Sequence, residues 1–376
     1  MQSRVKIPLT KPYTGKEEIE KIKQVLGSGH LTQGPVVKEF EEQFSKYLGV
    51  KHAVATTSCT SALLLTLIAL DIKAGDEVIL PDFTFPATGN VICNVGAKPI
   101  LLDVDRSTYN IDVNKIEKAI TKKTSAIIGV HLFGHPADMS PLIEIAEKYG
   151  LHIIEDAACS LGALYKGKQT GTFGDVGCFS FHPRKILTTG EGGMLVTNNL
   201  EIAEKATMIR DHGRRIRDGK SQFIYFGYNF RMSDILAAIG LMQLRKLSDM
   251  INRRRKLAGI YNGMLTERDI GIAPPVEASW AKHVFQSYVT YVTDNYGIRR
   301  DVCIKKLRDR FGVETQIGTY ALHLQPAFKK YSRNAVSLNR SRELYERTLT
   351  LPLYHELTLE KQRYVIDALE QLHFKK

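Results

Sequence analysis

The chain has 376 residues, about two and a half average domains of ~150, so a large domain beside a smaller one is expected. Hydrophobic residues make up 43% and charged residues 24%, which excludes a disordered, collagenous or coiled-coil chain. Fifty-two Lys and Arg against 40 Asp and Glu give a formal charge of +12, a balance compatible with nucleic acid, a membrane surface or small anionic ligands.

In chain order, short β-rich runs at 52–56, 77–80, 99–104, 125–130, 152–155, 176–181 and 193–196 predict buried strands. Helical stretches at 61–70, 86–94, 113–119 and 140–149 lie between many of them. This alternation predicts a mostly parallel sheet covered by helices on both faces, with ligands at the carboxyl ends of its strands. Beyond residue 196 the pattern turns helical, at 201–210 and then from Met232 to about Tyr261, where the apolar face fades near Ile251. Strand-like text resumes at His283, followed by helices at 299–311 and 359–372. The fold class is therefore α/β. A large domain is expected over 1–250 and a smaller α+β domain over 251–376, with the first thirty residues packed on either.

Basic residues concentrate at 210–220 and 253–256, without any finger or RNA-binding signature, so solvated faces are expected there and no nucleic-acid partner. Five cysteines, an odd number with no C-x-x-C pair, suggest neither a disulfide framework nor a metal site. The richest apolar run, 62–70, is about half the ~20 residues a bilayer requires, and no hydrophobic signal core stands at the start. A cytoplasmic chain without membrane contact is expected.

Three segments carry chemistry. Thr57-Ser58-Cys59-Thr60-Ser61 follows a strand and opens a helix, where free N–H groups, the helix dipole and short hydroxyls can cradle a phosphate or simply cap the helix. No P-loop and no dinucleotide fingerprint competes. Glu155-Asp156 ends a strand in two carboxylates, and alternation turns them to opposite faces, so one alone can reach the site. A buried acid there needs a positive partner. Lys185 follows a strand and Pro183 in a turn; shelter can lower a lysine from ~10.4 toward neutrality and make it a Schiff-base nucleophile, although a surface lysine fits the same text. Together they form the set needed to hold pyridoxal phosphate.

At these residues the sequence resembles the nucleotide-sugar aminotransferases of the DegT/StrS type, which are fold-type-I pyridoxal-phosphate enzymes. The likeness runs nearly end to end, through SGHLTQGPVVKEFEEQF, AGDEVILPDFTFPATGN, HLFGHPADM, IIEDAACSLGA, FSFHPRKILTTGEGGMLVTN, GYNFRMSDILAAIGLMQL and LPLYHELT. It implies Lys185 as the internal-aldimine lysine and proton carrier, and Asp156 as partner of the pyridinium nitrogen. It implies Thr60, Ser61 and Ser180 on the phosphate, with Phe85 and Ala158 on the two ring faces. It also implies a homodimer with shared active sites, in which Asn229 reaches the phosphate held by the partner subunit. Departures stand at Ser58-Cys59-Thr60, where many members have Asn-Gly-Thr, and at Cys159, where Gln or His usually makes a cofactor contact. His30 replaces a frequent tryptophan, and residues 318–323, with Tyr320 and His323, replace a His-Tyr-Pro version in a region that touches substrate in relatives.

The resemblance implies a ping-pong cycle in which L-glutamate converts pyridoxal phosphate to its amine form, PMP, and a nucleotide-linked keto-sugar receives the amine. Some relatives carry histidine at the lysine position and remove a hydroxyl instead; Lys185 favours amine transfer. Alternatives are a dehydratase or epimerase on a nucleotide sugar, an aminocyclitol aminotransferase and, remotely, a non-enzymatic regulator.

Overall fold

The computed structural model describes residues 6–331 and 337–374. Its centre is a seven-stranded sheet of β1 (His52–Thr56), β2 (Glu77–Pro81), β3 (Lys98–Leu102), β4 (Thr124–Val130), β5 (His152–Asp156), β6 (Val176–Ser180) and β7 (Gly193–Thr197), in spatial order β1-β7-β6-β5-β4-β2-β3. β7 alone runs against the direction of the other six strands. Strand periodicity sorts the side chains cleanly: Val78, Leu80, Ala126, Ile128 and Ile154 join one apolar cluster, whereas Ile79, Ile127 and Ile153 join another. The first is covered by α3 (Cys59–Ala69), α4 (Pro86–Asn94) and α6 (Leu200–Arg210), the second by α5 (Met139–Tyr149).

Two helices absent from the sequence-level prediction precede the sheet, α1 (Lys16–Ser28) and α2 (Pro35–Leu48). Val37, Phe40 and Phe44 of α2 pack on Phe179, Phe181 and Met194. Asp234 holds its start: the carboxylate accepts from Gly34 N and Val37 N at 2.9 Å and Val36 N at 3.3 Å. A lone acid so buried is stabilised by these otherwise orphaned donors and by the positive helix end.

The long helix α7 (Asp234–Arg268) runs past Ile251 without a break. Its apolar stripe does not fade there but changes partner, from Leu247, Met250 and Ile251 against the sheet layer to Leu257, Ala258, Tyr261 and Leu265 against the C-terminal layer. That layer contains a four-stranded antiparallel sheet of β8 (Ile272–Ala273), β9 (Tyr288–Val292), β10 (Gln316–Ile317) and β11 (Thr348–Leu351) in order β8-β9-β11-β10. The strand expected from His283 begins only at Tyr288, because Phe285 takes the left-handed conformation (φ 49°) and residues 283–287 are drawn into contacts outside the ladder. Of the first thirty residues, those from Lys6 on touch both layers: Ile7 bridges to Val313, while Gln243 of α7 donates to Tyr13 O at 2.7 Å and Glu18 Oε1 at 2.8 Å.

The basic stretches are solvated in part, as expected, with Arg214, Arg215, Arg217, Lys220 and Lys256 exposed, but other members are not. Arg210 is buried against Glu41 and Ala55 O, Arg253 donates to the carbonyls of His355 and Leu357, and Arg254, buried, donates to those of Leu353 and Gln286. These three arginines thus serve packing and carbonyl satisfaction. No helix among the described residues is long and apolar enough to cross a membrane.

Asp234→Ala is expected to lower unfolding free energy by about 2 kcal/mol in urea titration, since three donors lose a charged acceptor. An unchanged midpoint would remove this capping role.

Candidate active site

The site forms where β5 and β6 end and the chain enters α3. Ser58 caps α3, its Oγ accepting from Ser61 N at 3.0 Å, and the Ser61 hydroxyl lies 2.9 Å from Thr57 Oγ1 and 3.0 Å from Ser58 Oγ. Among the described residues the N–H groups of Cys59 and Thr60 meet no acceptor, so the helix start offers donors and dipole to an anion. Thr60 is exposed and Ser61 buried. Strand β7 passes directly beneath: a Cβ on Gly193 would lie 2.3 Å from the Ser58 carbonyl carbon and 2.4 Å from Cys59 N, a distance only glycine permits. Ser180 pairs with Gly193 in register and ends β6, so it shares this corner.

Asp156, at the end of β5, is 6% exposed. Its Oδ2 accepts from Thr88 Oγ1 at 2.7 Å and its Oδ1 from Ala158 N at 3.2 Å. Among the described residues no Lys, Arg or His forms an ion pair with it, which leaves a buried carboxylate without a contacting cation. Glu155 faces the other way, as alternation requires, accepting from His131 Nε2 at 2.8 Å and from Gly171 N, Phe173 N and Gly174 N at 2.6 to 2.8 Å. Since His131 Nδ1 accepts from Ala137 N, its proton sits on Nε2 and points at Glu155. Glu155 therefore organises the core, and Asp156 alone remains for a ligand.

Lys185 lies in the loop between β6 and β7, which closes on itself through Phe181 N to Gly192 O at 2.9 Å and Thr189 N to Phe181 O at 3.0 Å. Its Nζ donates to Cys159 Sγ at 3.0 Å. The expected drop in basicity does not appear. Burial pulls the ammonium down, but the Cys159 sulphur, Cys59 and Asp156 outweigh it and hold Lys185 above the ordinary lysine value. Cys59 is itself pushed well up by burial and by the Asp156 charge.

At the mouth, Phe83–Thr84 pairs with Tyr320–Ala321, which brings the C-terminal layer onto the start of α4. Phe85 is 62% exposed, with its ring 6.3 Å from that of Tyr320. His323 turns inward, its Nδ1 2.6 Å from Asp82 Oδ2 and its N–H on Asp82 Oδ1 at 2.8 Å. His30 is exposed between α1 and α2, and no contact joins it to the Lys185 loop among the described residues. Asn229 is exposed beside Phe230, whose carbonyl accepts from Thr57 N at 3.0 Å. Thus Thr60, Ser61, Asp156, Ala158, Cys159, Ser180 and Lys185 come from three strand ends to one corner, Phe85 and Tyr320 share its rim, and His30 stands apart.

Thr88 and Asp82 escaped sequence analysis. The placement of Thr88 one helical turn into α4, facing the same sheet side as Ile154, is the signal that could have found it.

The family model for the DegT/DnrJ/EryC1/StrS aminotransferase family matches residues 12–370. The chain belongs to that family. It is an enzyme of the sugar-aminotransferase kind, with the α/β architecture of pyridoxal-phosphate aminotransferases. The spore coat polysaccharide biosynthesis protein SpsC of Bacillus subtilis is 37% identical over 97% of each chain. GDP-perosamine synthase of Caulobacter vibrioides is 38% identical over 90% of each. Among solved structures, the PLP form of Spr1654 from Streptococcus pneumoniae superposes with a TM-score of 0.92 at 29% identity, covering 98% of this chain and 99% of that one; a PMP form is also solved.

Cys159→Ala is expected to lower the pH at which Lys185 becomes nucleophilic, because it removes the foremost of the groups that hold the ammonium up and leaves only Cys59 and Asp156 to oppose burial. Reductive methylation of Lys185 in the cofactor-free chain, followed by peptide mass spectrometry across pH, measures this; an unmoved or raised midpoint contradicts it.

Proposed function

We propose that this chain transfers an amino group from L-glutamate to a keto-sugar carried on a nucleotide diphosphate, with pyridoxal phosphate as cofactor, acting in the cytoplasm as a homodimer with shared active sites. The observation that carries it is a buried Asp156 carboxylate with no cation in contact among the described residues, at the same corner as a lysine whose amine donates to a thiol. A cationic ring nitrogen would complete the acid, and an aldehyde would engage the amine. The PLP and PMP forms solved for Spr1654 agree with a cofactor that alternates between two states. The likeness to GDP-perosamine synthase favours a nucleotide-linked substrate.

In this assignment Thr60, Ser61 and Ser180 hold the phosphate at the start of α3, and the unpartnered N–H groups of Cys59 and Thr60 add donors. Asp156 holds positive charge at the ring nitrogen, with Thr88 and the Ala158 N–H fixing its oxygens. Phe85 and Ala158 would flank the ring, and Lys185 would hold the group and serve as the proton carrier at the substrate carbon. When bound, the cofactor supplies an electron sink for that carbon. Cys159 stands beside the Lys185 amine. Tyr320, His323 and His30 are the proposed substrate contacts; Asp82 occupies one ring nitrogen of His323 and leaves the other for a ligand.

A second copy is the partner proposed for the arm formed by Arg214–Arg217 and Lys220–Phe223, which leads to Asn229. Phe223, Ile224, Tyr225, Phe226 and Tyr228 are exposed along it, an apolar group that a lone chain would leave in water. Phe226→Asp is expected to convert dimers to monomers in sedimentation; a wild-type chain that is already monomeric refutes the shared site.

Incubating purified protein with pyridoxal phosphate, L-glutamate and a panel of nucleotide keto-sugars is expected to give 2-oxoglutarate and an aminosugar by mass spectrometry. Lys185→Ala should abolish both covalent cofactor attachment and amine transfer, a loss on the order of a thousandfold or more. No nitrogen transfer from glutamate, or a product that loses oxygen and gains no nitrogen, overturns the assignment.

A further inference from the structure

Lys185 is held by its own loop on one side only. Its N–H donates to His182 O at 2.8 Å, which shapes the turn but leaves the two peptide groups that flank the lysine to other partners. Both are taken by one side chain from the C-terminal part of the chain. Gln286 Oε1 accepts from Ile186 N at 2.8 Å, and Gln286 Nε2 donates to Arg184 O at 2.5 Å. Gln286 is 6% exposed, so its carboxamide is largely withdrawn from bulk water, and the bond to Ile186 N is buried. A carboxamide suits this task because it presents one acceptor and one donor side by side, as a neighbouring peptide group would.

Gln286 is itself fixed from behind. Its carbonyl accepts from Arg254 Nη2 at 3.0 Å, and Arg254 Nη1 donates to Leu353 O at 2.9 Å, joining α7 and the chain beyond β11 to the same point. Val284 N donates to Gly134 O at 3.1 Å and Ser287 N to Phe133 O at 3.3 Å, while Phe285 between them takes φ 49°. A phenylalanine in the left-handed region carries backbone strain that the surrounding contacts must hold. Its consequence is that the 283–287 segment leaves the ladder and Gln286 reaches the lysine loop.

We propose that Gln286 is a positioning residue for Lys185: its carboxamide clamps the peptide groups on either side of the lysine and couples the direction of Nζ to the C-terminal layer. This rests on Lys185 as the cofactor-bearing residue. The reach of the amine into the site depends on the orientation of that backbone, and an error of about 1 Å at a reacting atom is enough to cost around a hundredfold in rate.

Gln286→Met keeps the volume and deletes both bonds; Gln286→Glu keeps the acceptor for Ile186 N and sets a negative oxygen against Arg184 O. Full-length wild type and both variants would be checked by circular dichroism, then assayed for borohydride-trapped attachment of pyridoxal phosphate to Lys185, the pH titration of the bound chromophore, and reductive methylation of Lys185 in cofactor-free protein. Expected are folded variants that bind pyridoxal phosphate, trap it at least about tenfold more slowly, and titrate at a displaced midpoint, Gln286→Glu the more so. Methylation of Lys185 should also depart from wild type in rate or midpoint, while that of surface lysines stays unchanged. Wild-type trapping and titration in both folded variants overturns the proposal. Should Gln286→Met fail to fold, Gln286→Glu and the shorter Gln286→Asn carry the same comparison. If wild type itself never attaches the cofactor, the assignment of Lys185 fails, and the methylation arm still decides whether Gln286 governs that amine.

Discussion

A carboxylate that has lost its water with no cation in contact among the described residues is the constraint on which this site is built. Asp156 sits at the end of a parallel strand flanked by β4 and β6, where both sheet faces are covered. Desolvating such a group costs several kcal/mol, and Thr88 and the Ala158 N–H offset part of that cost. The remainder is available to a ligand that brings positive charge. The neighbouring acid resolves the same problem differently, because Glu155 collects His131 and three backbone donors and is fully committed within the fold.

Around that acid the other groups are placed by close approach rather than by local preference. β7 runs antiparallel between β1 and β6, and the glycine at 193 allows the start of α3 to descend onto it. This contact brings the hydroxyls of Thr57, Ser58 and Ser61 to the same corner as Ser180 and the Lys185 loop. The loop closes locally, yet its two peptide groups around the lysine are satisfied by Gln286 from some hundred residues away. A site assembled between layers in this way ties the direction of the Lys185 loop to the packing of α7, a helix that belongs to both.

Cys159 sets the immediate surroundings of the lysine amine. A thiol beside the Lys185 amine is a softer and weaker acceptor than an amide or imidazole. It nevertheless helps hold the ammonium up against burial, so shelter alone gives the wrong sign for this lysine. Neighbouring groups decide the direction of a shift, and they are invisible in a linear reading of one segment.

The sequence by itself determined the sheet, the strand ends at which Asp156 and Lys185 stand, and the opposition of Glu155 to Asp156, because strand periodicity and turn chemistry act over a few residues. The family followed from segments spread along the whole chain. The tertiary structure alone decided that Thr88 serves Asp156 and Gln286 serves Lys185, that Arg210 and Arg254 are buried, and that residues 283–287 leave the strand pattern. Each of these depends on a partner more than twenty residues away, and hydrogen-bond satisfaction in a desolvated interior is settled by which surfaces meet, not by the residues on either side in the chain.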